Sequence, residues 1–399
     1  MTRSLLLTNA RVVDARGLVA EQANVTIDGS AIAAIGDTDA TSESTVFDLG
    51  GRTICPGLMN AHVHVCFDST ANPQQAFDAE SDQDSVANAQ LRLARTVASG
   101  VTTVRDLGGK APVTLQLARM IGEGEALGPS ILTAGKVICV PGGHGHWMGI
   151  EIEGASEAKA AARGLIDSGA SVIKLMATAG MMTDGQEAGA PQLSVDEMKA
   201  CIEEAHAAGI HVAAHSESRQ GAANAISAGV DSIEHGHGLD RPLLEKMVEK
   251  GIALVPTISC DRVIVTEGLD AGVPDFIVAD CARLAPSLET ALREAIELGV
   301  IVAAGNDGGA PLTDPGDIVA ELEVYVEMGM TPQQALASAT VANAHLFGLT
   351  DRGLVEPGQR ADLLVVDGDP LTSVNALRHP DLVIAAGTLV TGEGAAIIE

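Results

Sequence analysis

Aromatic side chains are scarce in this chain of 399 residues, which has one Trp, one Tyr and five Phe. We therefore do not expect it to recognise a ligand by stacking on aromatic platforms. Basic residues are also few, with 24 Lys and Arg against 53 Asp and Glu, so the formal charge is −29. This charge argues against a nucleic acid or an anionic membrane as a partner.

Paired cysteines and long apolar runs are absent from the sequence as well. The six cysteines are scattered without a Cys-x-x-Cys spacing, which argues against a disulfide framework and fits a reducing compartment. No apolar run has the length of a membrane span, and Leu5-Leu-Leu7 is too short for a signal peptide. We therefore expect a cytoplasmic protein.

The pattern of the chain changes near residue 57. Before it, short strand-like runs (4–13, 24–27, 31–35 and 45–48) alternate with turn signals. After it, apolar runs alternate with Ala/Glu/Leu-rich helical stretches, which is typical of repeated β-α units and a parallel sheet. Eight such runs predict an α/β fold with a closed (β/α)8 TIM-like barrel. They are 58–65, 102–107, 130–134, 171–176, 210–215, 232–235, 252–256 and 300–304.

Helices and tail strands complete the expected organisation. Caps predict helices over 85–99, from a Ser194/Glu197 capping box to 208, and from Thr331-Pro332 to 346. The tail returns to strands at 353–355, 361–367 and 382–390. We expect both chain ends to form one small β-sandwich domain, residues 1–56 and 350–399, beside a catalytic barrel of residues 57–349.

A His-x-His pair in an apolar run, His62 and His64, is the most informative local feature. Side chains two residues apart in a strand project from the same face, so both imidazoles would converge on one point. Alone, the pair fits a metal site and two hydrogen-bonded core histidines about equally well. The downstream sequence favours a metal.

More polar residues stand at the ends of later predicted strands. Catalytic groups of a β/α barrel lie at these ends, so such residues would meet the histidine pair. One metal ion needs three or four protein ligands, and six candidates therefore indicate two ions. Nitrogen and oxygen ligands favour zinc first, with manganese, cobalt or iron as alternatives. The candidate metal ligands are His62, His64, Lys174, His215, His235 and Asp307.

Lys174 and Asp307 each have two interpretations. Lys174 lies in the apolar run Val172–Met176, where an ammonium is costly unless it is paired or modified. A neutral amine can react with carbon dioxide to give a carbamate whose oxygens could bind two metals; the alternative is an ion pair with Asp or Glu. Asp307 is either a ligand that also accepts a proton from water, or the cap of the following helix.

A second His-x-His, His144 and His146, lies in the glycine-flanked loop after the third predicted barrel strand. It has no carboxylate or cysteine beside it, so we do not predict a third metal site. A loop at the barrel mouth suits substrate contact, and His144 could hydrogen-bond a carbonyl or carboxylate of the ligand. The alternative is a solvent-exposed loop histidine.

Together these motifs resemble the amidohydrolase superfamily over essentially the whole chain. Besides the six candidate ligands, the resemblance rests on Pro56-Gly57, on 337–343 and on 358–365. Three further segments, 102–108, 142–145 and 173–180, resemble Xaa-Pro dipeptidases and related metallo-carboxypeptidases. Imidazolonepropionases are more distant relatives and lack the bridging lysine. Asn306 departs from the Thr or Ser that relatives often carry, but Asp307 is intact.

The resemblance implies one metal ion on His62, His64 and Asp307 and a second on His215 and His235. Carboxylated Lys174 would bridge them. Two dications lower the pKa of a shared water, polarise the scissile carbonyl and stabilise the oxyanion. Asp307 would take the proton and deliver it to the departing amine.

The expected function is metal-dependent hydrolysis of an amide C–N bond by a metal-bridging hydroxide, with dipeptidase or carboxypeptidase-like activity. Hydrolysis of a urea, carbamate or cyclic amide is the alternative. A non-catalytic scaffold is a third possibility, against which the six intact ligand positions argue. We expect a small-molecule amide or dipeptide as the partner, and a homo-oligomer.

Overall fold

The structure is a computed structural model that describes residues 4–38, 40 and 44–392. Residues 1–3, 39, 41–43 and 393–399, which fall in the predicted terminal domain, lie outside the described residues. The strands are β1 Leu5–Asp14, β2 Gly17–Asp28, β3 Ala31–Gly36, β4 Thr45–Asp48, β5 Thr53–Pro56, β6 Leu58–Val63, β7 Val101–Asp106, β8 Ser130–Thr133, β9 Val137–Cys139, β10 Gly149–Glu151, β11 Val172–Met176, β12 His211–Ser216, β13 Ser232–His235, β14 Ala253–Val255, β15 Leu363–Val366, β16 Leu382–Ala385 and β17 Thr388–Thr391.

Helices occupy most of the chain between the later strands. They are α1 Pro73–Ala79, α2 Asp82–Ala98, α3 Ala111–Gly122, α4 Ala155–Asp167, α5 Val195–Ala207, α6 Arg219–Ala228, α7 Arg241–Lys250, α8 Ile258–Ala271, α9 Asp275–Leu298, α10 Ile318–Glu327, α11 Pro332–Ser338 and α12 Val341–Leu346. Short 3-10 helices lie at His146–Met148 and Val374–Leu377. No helix in the described ranges combines the length and the apolar character needed to cross a bilayer.

Strands from both ends of the chain join in one branched sheet of eight strands. The first half of β1 pairs in parallel with β4 and its second half with β5, which runs antiparallel to β15. β2 and β3 extend one side, and β16 and β17 extend the other. These ladders define one sheet and not two facing ones, so the predicted β-sandwich and its domain boundaries stay predictions.

The middle of the chain forms two parallel sheets, which confirms the α/β class. One contains β6, β7 and β8, and the other has the order β10-β9-β11-β12-β13-β14. Residues 300–304, predicted as the eighth strand, form no regular strand, but residues 301 and 304 bond to both sheets. The amide of Leu254 donates to the Ile301 carbonyl, and that of Ala61 donates to the Ala304 carbonyl. Within the described residues no ladder joins β8 to β11, so the closed barrel stays a prediction.

Helix starts follow local capping chemistry. The Ser194 hydroxyl accepts a hydrogen bond from the Glu197 amide and the Glu197 carboxylate accepts one from the Ser194 amide, which starts α5 as predicted. The helix predicted from residue 85 begins earlier, at Asp82, because Ser81 caps it by accepting from the Asp84 amide.

Three predictions in the last fifth of the chain are wrong. The helix predicted over 331–346 is two helices, because Thr340 leaves helical geometry at φ −129° and ψ −93°. Residues 353–355 form no strand, since Gly353 has a φ of 98° and the Val355 amide donates to the Asp14 carboxylate. The predicted strand 382–390 is a hairpin that turns at Ala386 and Gly387.

Candidate metal centre

All seven residues predicted to bind metal or substrate line one cavity at the carboxyl ends of the parallel strands. They are His62, His64, His144, Lys174, His215, His235 and Asp307. β6, β12 and β13 each end close to one of the histidines, because parallel strands bring their carboxyl ends to the same edge.

The first cluster of ligand atoms forms around Asp307. Asp307 Oδ1 lies 3.3 Å from His62 Nε2 and 3.4 Å from His64 Nε2. This oxygen is shielded from solvent and has no hydrogen-bond partner among the described residues. His235 also belongs to this cluster, since its ligand atom and those of His62 and Asp307 all lie within 4.8 Å of one another.

The second cluster contains a residue that the sequence reasoning missed, Glu217. His215, Glu217 and His235 offer three buried ligand atoms within 4.8 Å of one another. Glu217 Oε1 lies 3.7 Å from His215 Nε2 and accepts a hydrogen bond from the Met181 amide at 3.5 Å. The signal was the spacing of His215 and Glu217, which repeats the two-residue periodicity of the first histidine pair.

Lys174 lies between these clusters. It is fully buried, and its Nζ is 3.4 Å from His62 Nε2, its one hydrogen-bonding contact within the described residues. No carboxylate of the described residues lies within salt-bridge distance of Lys174 Nζ. The alternative of an ion pair with Asp or Glu is therefore wrong. Burial lowers the pKa of Lys174 to about 8, although Glu234 and Asp307 oppose the shift. A neutral amine is thus accessible near neutral pH.

Hydrogen bonds on the far sides of the rings orient the histidines. His62 Nδ1–H donates to Glu234 Oε2 at 2.9 Å, and Arg105 Nη2 donates to Glu234 Oε1 at 2.8 Å. His64 Nδ1–H donates to the Gly108 carbonyl at 2.8 Å. These bonds fix the tautomers so that the Nε2 lone pairs of His62 and His64 face the cavity.

Electrostatics in the cavity keep the imidazoles neutral. Burial is the main cause that lowers the pKa of His62, His215 and His235 well below the ordinary value. Metal ligation requires the deprotonated imidazole, so this environment holds three rings in the ligating form. Burial is also the main cause that raises the pKa of Asp307.

Backbone strain is concentrated at the same place. His235, Thr257 and Asp307 have φ angles of 64°, 55° and 56°, in the left-handed region that non-glycine residues rarely adopt. Thr257 Oγ1 is hydrogen-bonded to His235 Nδ1 at 2.8 Å. Such strained positions tend to cluster at functional sites, where the surrounding structure holds them.

His144 is buried in the cavity wall, so the alternative of a solvent-exposed loop histidine is wrong. Its Nδ1 is hydrogen-bonded to Thr183 Oγ1 at 2.8 Å, and its ring centroid lies 4.5 Å from that of His215. A Cβ atom at Gly180 would lie 2.5 Å from His144 Nε2, so only glycine allows this approach. Burial lowers the pKa of His144 to about 3, which keeps the ring neutral.

The alternative of a helix cap at Asp307 is also wrong, because Asp317 caps α10.

The rest of the cavity wall is apolar and rich in sulfur, apart from one further carboxylate, Asp261. Asp261 accepts a hydrogen bond from His237 Nε2 at 2.8 Å. Sequence reasoning missed Asp261 because it lies inside a helix, where no strand-end pattern marks it. The apolar wall includes Met181, Met182, Cys260, Ile264, Ile277 and Cys281.

Comparisons with known proteins agree with this geometry. The profile of the amidohydrolase family matches residues 53–390. The chain is 31% identical over 385 residues to the ochratoxinase of Aspergillus niger, covering 86% of this chain and 76% of the relative. The crystal structure of a Xaa-Pro dipeptidase with methionine bound in the active site has a TM-score of 0.89 at 31% identity, covering 97% of this chain and 99% of the other. A prolidase complexed with N-methylphosphonate-L-proline has a TM-score of 0.90 at 27% identity, covering 98% of this chain and 100% of the other.

Proposed function

The chain belongs to the amidohydrolase family, and from this premise we propose that it is a binuclear metal-dependent hydrolase of dipeptides. Action on C–N bonds follows from the family and from its hydrolase relatives. A dipeptide substrate is a more specific proposal than action on C–N bonds in general. Two similar structures support it: a Xaa-Pro dipeptidase and a prolidase with a proline-containing ligand.

The observation that carries the proposal is the meeting of three lone pairs around Asp307. In the neutral tautomers whose Nδ1 atoms donate elsewhere, the Nε2 atoms of His62 and His64 carry the lone pairs. Both approach Asp307 Oδ1, itself without a hydrogen-bond donor in the described structure. Three acceptors that converge in a shielded site repel one another unless a cation lies between them. The donor set therefore fits a metal ion.

His62, His64 and Asp307 would hold the first ion, and His215 and His235 the second. A carbamate on Lys174 would bridge them, which the burial of this amine between the clusters and its lowered pKa support. Nitrogen and oxygen donors favour zinc in both sites. A closed (β/α)8 barrel is the frame that we propose for the site, supported by the backbone bonds of residues 301–304 to both parallel sheets.

When bound, the ions would supply Lewis acidity toward water and toward the scissile carbonyl. Asp307 would accept the proton of the attacking water and return it to the leaving nitrogen. Glu234 and Arg105 would hold the His62 ring in place through their hydrogen bonds. His144 lies at the wall, where its neutral ring can hydrogen-bond a polar group of the substrate. The apolar residues opposite would exclude water and contact an apolar side chain.

Metal analysis combined with a dipeptide screen tests this function. The purified protein should hold about two divalent ions per chain, as two-metal chemistry requires, and should hydrolyse members of a dipeptide library. His62→Ala and His215→Ala should lose metal and activity together. His206→Ala is the matched control, because His206 is exposed and pairs with Asp231 outside the cavity. Full activity in a metal-free preparation, or no turnover of any dipeptide by the loaded enzyme, would contradict the proposal.

A further inference from the structure

Two carboxylates in the cavity have no role in the proposed catalytic steps, although Glu217 belongs to the second cluster of ligand atoms. Glu217 follows β12 and Asp261 lies in the first turn of α8, and both are only 6% exposed. Asp261 Oδ2 accepts from His237, and Glu217 Oε1 accepts from the Met181 amide. Glu217 Oε2 is buried and has no hydrogen-bond partner in the described part of the chain. The cavity thus contains an unpartnered carboxylate oxygen.

This arrangement is costly without a positive charge nearby. A buried carboxylate loses its hydration, and a second carboxylate in the same cavity adds repulsion. A cation placed beside Glu217 would remove both penalties.

No described side chain beside Glu217 offers such a cation. Of the described residues that line the cavity, Lys174 is the one Lys or Arg, and the proposed carbamate removes its positive charge. The same observation leaves the cavity without an Arg or Lys to pair with a substrate carboxylate. The surroundings of Glu217 and Asp261 therefore match the part of a ligand that brings a cation and an apolar group.

We propose that Glu217 and Asp261 bind the protonated α-amine of the substrate, so that the enzyme selects dipeptides with a free N-terminus over N-acylated amino acids. This inference rests on the proposed function and names its substrate class. In a dipeptide the α-amine is two bonds from the scissile carbonyl carbon. Glu217 Oε1 is 3.7 Å from His215 Nε2, so an amine bound there leaves that carbonyl beside the metal-ligating histidines. The first side chain would then contact Met182, Ile264 and Ile277.

A pair of probes without a scissile bond tests the amine site independently of catalysis. L-leucinol carries a protonated amine and an apolar side chain, whereas 4-methylpentan-1-ol has the same side chain and no charge. Titration calorimetry on the metal-loaded enzyme should show that leucinol binds about tenfold more tightly or better, a difference of about 1.4 kcal/mol. Glu217→Gln and Asp261→Asn should each reduce this preference severalfold. Two variants are used so that a folding defect in one leaves the other informative.

The matched control is Asp280→Asn. Asp280 acts on Glu217 through its charge but does not line the cavity, so its loss should leave the preference for leucinol unchanged. Metal content is measured in every variant. Equal binding of the two probes by the unaltered enzyme, or an undiminished preference in both cavity variants, would overturn the inference. Loss of one metal ion in Glu217→Gln would also overturn it, because Glu217 would then be a metal ligand.

Kinetics separate failure of this inference from failure of the proposed function. If the enzyme hydrolyses N-acetylated dipeptides as efficiently as free ones, the dipeptidase stands and the amine site is wrong. If leucinol binds selectively but no dipeptide is hydrolysed, the amine site stands and the dipeptidase proposal is wrong.

Discussion

The terminal sheet and the cavity end of the parallel sheets differ in the kinds of side chain that they bury. The core of the terminal sheet is aliphatic, with residues such as Leu7, Val25 and Leu363, and ion pairs such as Arg11–Asp369 and Arg16–Glu356 lie at the rim. The cavity end buries Arg105 and Lys174 together with several carboxylates and the five histidines that line the cavity. One region pairs its few buried charges, such as Asp14 with Arg16, while the other keeps charged groups that are unstable without a partner. The difference supports the proposal that metal ions and a ligand complete the second region.

The largest effect is expected from Lys174→Ala, which removes the proposed bridge. Activity should fall to the background of the assay, and a short carboxylic acid added to the buffer should restore part of it by taking the place of the carbamate oxygens. Lys199→Ala, which removes an exposed lysine on α5, should leave activity unchanged. Wild-type activity in Lys174→Ala, measured with metal content, would show that this lysine holds no metal.

Asp307→Asn tests the proton transfer with the shape of the ligand preserved. The variant should retain much of its metal, and kcat should fall by about 10²–10⁴-fold because the amide cannot accept a proton. The acidic limb of the pH–rate profile should also change. If kcat is retained, another base carries the proton, and His144 is the first to examine.

Breaking the buried pair of Arg105 and Glu234 tests whether the cavity region depends on complete pairing. Arg105→Met should destabilise the protein by about 3–5 kcal/mol, because it leaves Glu234 buried and charged. The double variant Arg105→Met/Glu234→Gln should cost less than the sum of the single variants. Arg241→Met, in an exposed ion pair, should cost at most about 1 kcal/mol. Chemical denaturation of the metal-free proteins measures the free energy of unfolding of Arg105→Met, Glu234→Gln, the double variant and Arg241→Met.

Leu363→Ala tests the other region. Leu363 lies fully buried on β15, so the cavity left by truncation should cost about 2–5 kcal/mol of stability. The kcat of the molecules that remain folded should be unchanged, since the terminal sheet contributes no residue to the cavity lining. Leu389→Ala, on the edge strand β17 and only partly buried, should cost less. A large loss of kcat at full folding would show that the two regions are coupled.

The smallest effect concerns pH. Burial raises the pKa of Glu321 to about 7, although it accepts hydrogen bonds from the amides of Ile258 and Ser259. Because the folded state holds this proton more tightly than the unfolded state, the contribution of Glu321 to stability should fall as pH rises from about 4.5 to about 7. Glu321→Gln should flatten the stability curve in that window. Parallel curves for the two proteins would contradict this prediction.

The sequence predicted the cavity residues better than the elements around them. His62, Lys174 and His235 could be found because each is a polar residue near the end of an apolar run, and parallel strands align their ends. Glu217 and Asp261 were missed, since an acid after a strand or inside a helix has an ordinary surface interpretation. The break at Thr340 was missed because its side-chain bond to the Leu336 carbonyl leaves no mark in the hydrophobic period.

Pairing of β5 with β15 has a consequence for how the chain is made. The hydroxyl of Thr53 donates to the Gly368 carbonyl, 315 positions later in the sequence. During synthesis the ribosome therefore exposes β1 and β5 long before the strand that covers β5 exists, and an unpaired strand edge is prone to aggregation. Contacts at such separation are slow to form because the intervening loop must first close. The terminal sheet should accordingly be the last part of the molecule to assemble.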